Sequence, residues 1–317
     1  MPPLLEIRGL TKVFDLPRGS QLPWQPRPRL TAVGGVNITL DHGEVLGLIG
    51  ESGSGKTTIA RCVVGLERAT DGSIVVDGEP IGDLTHRGLP LRRKIQMVFQ
   101  DSYGSLDPRQ TIHDVIEEPL KLLTDLDATQ RGERIAAMLA EVGLPRSVAT
   151  RYRHELSGGQ QQRINFARAL VLHPALVVLD EPVSSLDASV RMQVIALMKS
   201  LQRAFDLSYL FISHDLHTVE DLCDRVAIMF AGHIVEFGLV ADIFAAPTHP
   251  YTRQLLASRL ALGDRPRRLE AEAPEGPRRP WLSDANWSSA GGLHPPLVPL
   301  SATHFVAQHT SNGSHRK

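Results

Sequence analysis

The chain has 317 residues, 34 Lys and Arg against 35 Asp and Glu, and 42% hydrophobic residues. That length suits one large domain with an appendage, and a net charge of −1 gives no electrostatic case for nucleic-acid binding. Two cysteines, Cys62 and Cys223, exclude a disulfide framework and fit a reducing compartment. The opening MPPLLEIRGL lacks the pattern of a secretory signal, and no run reaches the roughly 18 apolar residues that span a bilayer. Together these features predict a cytoplasmic protein that meets a membrane only through a partner.

In chain order, LLEIRGLTKVF reads as a strand ending at Phe14. The Pro-rich insert LPRGSQLPWQPRPRL cannot hold a central strand or a helix. VNITLDHGEVLGLIG gives two strand-like runs around Asp41–Gly43, the second nearly all apolar, as in a strand buried on both faces. It feeds GESGSGKT and the helix TTIARCVVGL. From Thr111 to Arg153 the apolar spacing is helical, and QQQRINFARALVL continues it. ALVVLDEP reads as a second buried strand, ASVRMQVIALMKSLQRAF as an amphipathic helix and LSYLFISHD as a third strand. Alternating strands and helices predict a parallel α/β sheet with a helical insertion over about 101–164. Beyond about residue 256 the composition turns Arg, Pro, Ser and Gly rich, and an irregular extension is expected.

Two stretches carry chemistry on their own. In Gly50-Glu51-Ser52-Gly53-Ser54-Gly55-Lys56-Thr57, followed by Thr58, glycines let successive backbone N–H groups face one anion at a helix N-terminus. Lys56 reaches the β- and γ-phosphates of a nucleotide, and the Thr57 hydroxyl suits Mg²⁺. LVVLDE places Asp180 at the tip of a buried strand, suited to a magnesium-bound water, and Glu181 beside it as a general base. A third loop, LSGGQQQR, puts Ser157, Gly158, Gly159 and Gln160 before another helix.

With these loops in this order, residues 4–256 resemble the ATP-binding-cassette family: Walker A, glutamine loop, LSGGQ signature, Walker B with glutamate, SSLD, then a switch histidine. The resemblance implies a P-loop NTPase of α/β class, with a RecA-like core, an antiparallel β subdomain and a helical signature subdomain. It assigns residues 1–256 to the ATP-binding domain and 257–317 to a C-terminal extension. It makes Gln100 the residue that senses Mg²⁺ and the attacking water, and His214 the switch on the γ-phosphate. Ser185, Leu186 and Asp187 become the loop that crosses a dimer interface, and Phe14 the aromatic that stacks on adenine. It also implies that Ser157, Gly158 and Gly159 of one subunit close on the γ-phosphate held by Lys56 of another, so that two chains exchange half-sites.

Two further stretches, DSYGSLDPRQT after Gln100 and PTHPYTRQLL at Pro247–Leu256, are similar to oligopeptide and dipeptide importer ATPases. That subfamily implies membrane permease subunits, a second cassette ATPase, an extracytoplasmic solute-binding protein acting indirectly, and a place on the cytoplasmic face of the membrane. Nickel, glutathione and other small solutes stay open as cargo. Many relatives hold an iron–sulfur cluster on tail cysteines; this tail has none, and Gln308 of HFVAQH stands where such a cysteine would be, so no cluster is expected. His304, His309 and His315 read as a solvated tail. A cassette acting on nucleic acid or the ribosome is disfavoured by the neutral charge, the single cassette and the short stretch between Lys56 and Asp180. A regulatory subunit without turnover is disfavoured by the intact Glu181 and His214.

Overall fold

The structure, a computed structural model, describes residues 2–17, 27–81, 89–100, 104–184, 186–260 and 297–307. β1 (Leu5–Asp15) and β2 (Arg29–Leu40) pair antiparallel, and the Leu16 N–H donates to the Pro28 carbonyl at 2.8 Å, closing the two ends of the Pro-rich insert. The insert therefore connects the two strands of a hairpin; its residues 18–26 lie outside the described residues. β2 takes in Arg29 and Leu30 from the end of the insert, which is tolerated because it is an edge strand. β3 (Val45–Ile49) runs into the glycine loop and α1 (Lys56–Val63). β4 (Asp71–Val76) and β5 (Glu79–Pro80) complete a four-stranded antiparallel sheet of order β2-β1-β4-β5.

α2 (Leu89–Lys94) leads to β6 (Ile95–Val98). The helical block follows: α3 (Ile112–Leu123), α4 (Ala128–Glu141) and α5 (Gly158–Leu170). Each starts at a capping box, from Thr111 with Asp114, Asp127 with Gln130, and Ser157 with Gln160. Between α4 and α5 the helical reading gives way to short 3₁₀ turns at Arg146–Thr150 and Arg153–Glu155. β7 (Leu176–Asp180), α6 (Ala188–Phe205) and β8 (Ser208–Ser213) then alternate, followed by α7 (Leu216–Leu222) and β9 (Arg225–Phe230). β10 (His233–Leu239), α8 (Val240–Ala245) and α9 (Pro250–Leu260) complete the main body.

β6, β7, β8, β3 and β9 lie side by side and all parallel. Both faces of this sheet are covered, which explains the unbroken apolar runs. In β8, Tyr209 and Phe211 enter the core shared with the helical block, while Leu210 and Ile212 enter the one shared with α1 and the antiparallel sheet. β7 divides in the same way, with Val177 and Leu179 on one side and Leu176 and Val178 on the other.

The tail departs from its compositional reading. α9 continues to Leu260, and β11 (Leu297–Pro299) and β12 (His304–Ala307) extend the main sheet antiparallel beyond β10. His304, expected in solvent, is buried with its Nε2 2.6 Å from Glu236 Oε1. The reason is long-range: Glu236 sits fully buried in β10 and draws a polar partner from the neighbouring strand. Gln308, His309 and His315 lie outside the described residues.

Candidate active site

Because the five central strands are parallel, their carboxyl ends form one edge, where open α/β sheets place their ligands. The loop after β3 wraps there before α1. Gly50 and Gly55 allow it to pass so close to other backbone that a Cβ would strike the Met229 carbonyl at Gly50 and the Ala32 carbonyl at Gly55, the latter with φ +107°. Ser54 is buried, whereas Glu51, Ser52 and Gly53 face solvent. Lys56 is only 5% exposed, and its Nζ donates to the carbonyls of Gly50 at 2.9 Å and Glu51 at 2.8 Å. Burial lowers the pKa of this ammonium, opposed by the charges of Glu181, Asp180 and Glu51. Thr57 and Thr58 form the first turn of α1.

The Thr57 hydroxyl donates to Asp180 Oδ1 at 3.2 Å, tying the loop to the end of β7. Burial raises the Asp180 pKa, and the Thr57 hydrogen bond acts against it. Glu181 turns into the left-handed region at φ +48°, a conformation that costs a non-glycine residue about 1–2 kcal/mol. Its N–H is held by the Ile212 carbonyl of β8 at 2.9 Å. Its carboxylate lies between two side chains from other strand ends. Gln100 Nε2 donates to Oε2 at 2.9 Å, and His214 Nδ1 stands 3.1 Å from Oε1. Two residues remote in sequence thus converge on the carboxylate of a third.

The other candidates lie elsewhere. Ser157 caps α5, its hydroxyl accepting from the Gln160 N–H at 3.3 Å while the Gln160 side chain accepts from the Ser157 N–H at 3.0 Å. Ser157 and Gly158 are exposed. Gly159 packs on the start of α6, where an added Cβ would lie 2.7 Å from Val190 Cγ1. Asp187 caps α6 through the Val190 N–H at 3.0 Å, and Leu186 is half-buried beside Gly158; Ser185 lies outside the described residues. Phe14 pairs with Leu30 across the β1–β2 hairpin, with the Lys12 ammonium 4.7 Å from its ring centroid.

Residues 33–184 match the family model described as ABC transporter. Over 257 residues, the chain is 47% identical to the oligopeptide transport ATP-binding protein OppF of Escherichia coli strain K12, covering 80% of this chain and 77% of that one. The chain belongs to the ABC transporter ATP-binding proteins. The oligopeptide transport ATP-binding protein AppF of Bacillus subtilis strain 168 is 45% identical, covering 80% of this cassette and 78% of that protein. A solved dimeric structure, the post-hydrolysis state of the ATP-binding cassette MJ0796 bound to ADP and Pi, superposes with a TM-score of 0.65 at 26% identity. It spans 74% of this chain and 98% of that chain. This cassette is an ABC-type ATPase, and no helix among its described residues is long and apolar enough to cross a membrane.

Two residues of this cassette, Arg191 and Tyr251, escape a motif-by-motif reading. Arg191 of α6 bonds Asp215, next to His214, at 3.1 Å and the Leu186 carbonyl at 3.2 Å, joining the loop before α6 to the end of β8. No local pattern marks it. Tyr251 is buried with its hydroxyl on the Glu51 N–H at 2.9 Å. Its signal is the HPYT string itself, which says where a helix begins but not what it touches.

Proposed function

We propose that this chain is the ATP-hydrolysing subunit of an importer of dipeptides or oligopeptides, working on the cytoplasmic face of the membrane. The observation that carries the hydrolytic reading is the Glu181 carboxylate held between Gln100 and His214, beside the Thr57–Asp180 pair and Lys56. The peptide cargo is supported by the oligopeptide transport names of the relatives.

Gly50, Glu51, Ser52, Gly53, Ser54, Gly55, Lys56, Thr57 and Thr58 hold the triphosphate through loop and helix N–H groups and the Lys56 ammonium. The oxygens of Thr57, Asp180 and Gln100 are hard donors that fit Mg²⁺, with Asp180 acting through a water. A magnesium ion held by these residues would supply neutralisation of phosphate charge. Glu181 accepts a proton from water as the water oxygen bonds to the γ-phosphorus and the bond to the ADP oxygen breaks. Gln100 orients that water, and His214, anchored on Glu181, faces the γ-phosphate. Phe14, half-buried at the end of β1, stacks on adenine.

Ser157, Gly158, Gly159 and Gln160 complete the site of a second cassette, with Ser185, Leu186 and Asp187 crossing between the two. The exposure of Ser157, Gly158 and Asp187 in this chain, and the dimeric state of the similar solved cassette, support that arrangement. The membrane permease docks in an apolar groove of about 340 Å³ beside Gln100, formed in part by Leu66, Met97, Phe99, Leu122 and Arg168. Leu66, Phe99 and Leu122 are exposed there, an unusual setting for large apolar side chains grouped together.

Glu181→Gln tests the central assignment. In the chain assembled with its second cassette and permease, turnover should fall by roughly 10²–10⁴-fold while ATP stays bound and the cassettes stay paired. A variant that turns over ATP at close to the normal rate would remove Glu181 from the reaction.

A further inference from the structure

His249-Pro250-Tyr251-Thr252 opens α9, and the fold accounts for its first three residues one by one. Pro250 takes the first helical position, where its missing N–H costs nothing. His249 is buried, and its Nδ1 accepts from the Tyr251 N–H at 3.2 Å. The Tyr251 ring packs on Phe230 with centroids 4.5 Å apart. Its hydroxyl oxygen accepts the Glu51 N–H at 2.9 Å, 200 residues back along the chain. A helix from the end of the domain thus holds a backbone donor of the phosphate loop.

That helix is itself held from the tail. The Glu236 side chain is 0% exposed; its Oε1 accepts the Thr248 N–H at 2.9 Å and its Oε2 the His249 N–H at 3.0 Å. Both donors lie in the turn that leads into α9, and the His249 N–H is one that the helix itself cannot pair. His304 of β12 adds a contact of 2.6 Å to Oε1. Without it, the buried Glu236 side chain would lose a polar partner in an apolar setting.

We propose that Tyr251 is a positioning residue of the nucleotide site: it pins the Glu51 end of the phosphate loop, and Glu236 with His304 of the C-terminal strands braces it. A loop pinned from outside has less freedom to lose when it closes on phosphate. The proposal rests on the reading that residues 50–58 bind nucleotide.

The experiment uses the full chain, with ADP as the probe. Tyr251→Phe keeps the ring against Phe230 and removes one neutral hydrogen bond, so ADP affinity should weaken about 3- to 10-fold. In ATP turnover the loss should appear in KM rather than in kcat. His304→Ala should speed amide exchange in peptides covering Gly50–Lys56 and leave α3 to α5 at their normal rates, while His304→Gln, which keeps a donor, restores protection. Normal ADP affinity in Tyr251→Phe together with normal exchange in His304→Ala would overturn the proposal. If Tyr251→Phe does not fold, the exchange data decide alone. A wild-type chain that binds no ADP would instead overturn the nucleotide reading beneath it.

Discussion

The phosphate loop and the signature turn both open a helix, but they finish its N-terminus differently. α1 starts from Gly55 with no side-chain cap, a buried lysine and no acid in its first turn. α5 starts from Ser157 with both halves of a capping box closed by its own residues. An uncapped start leaves N–H groups and a positive end for an anion, whereas a closed cap leaves little binding capacity except an exposed hydroxyl and bare glycine backbone. The contrast supports the proposal that the first holds a phosphate by itself and that the second is an edge offered to something else.

Lys56→Ala should separate the two regions most strongly. Losing a charge-assisted phosphate contact should weaken ADP binding by roughly tenfold to a hundredfold, read by calorimetry. Removing a buried ammonium that lies on backbone carbonyls should cost little in melting temperature. A variant that binds ADP normally would break the contrast. Gly159→Val acts on the other region. A Cβ alone would overlap Val190 Cγ1 at 2.7 Å, and the added methyls crowd it further, so stability should fall by about 1–3 kcal/mol in denaturant unfolding. ADP affinity of the lone chain should not change. The smallest effect concerns the cysteines. Burial pushes the Cys62 thiol up to about 11 and the Cys223 thiol well above the usual range. A thiol-labelling reagent at pH 8 should therefore modify neither until the chain unfolds; rapid labelling of either would contradict the packing.

Much of the phosphate site is visible in sequence because its parts are local. The glycine spacing, Lys56 and Thr57 lie in one loop, and the apolar runs before Gly50 and Asp180 give away strands buried on both faces. The α6 reading over 188–205 needs only its 3.6-residue period. The convergence of Gln100 and His214 on Glu181 is different in kind: it follows from three strand ends that are neighbours only after β6, β7 and β8 align. β9 and β10 stand out little in the sequence, since their short runs lead into no loop with chemistry of its own. The tail shows the same limit. Its composition says irregular, yet β12 finds a place because Glu236, far away in sequence, needs a partner and β10 has an open edge.

The claim that the signature turn serves a neighbouring cassette is tested most directly by Ser157→Asp, because Asp keeps the α5 cap while adding a negative charge. Two readings are needed: ADP affinity of the lone chain, and ATP-driven association with the second cassette. The account predicts ADP affinity within about twofold of normal and loss of association, since the carboxylate would face a γ-phosphate on the other subunit. Weakening of ADP binding in the lone chain by about tenfold or more would place the turn on its own nucleotide and contradict the account.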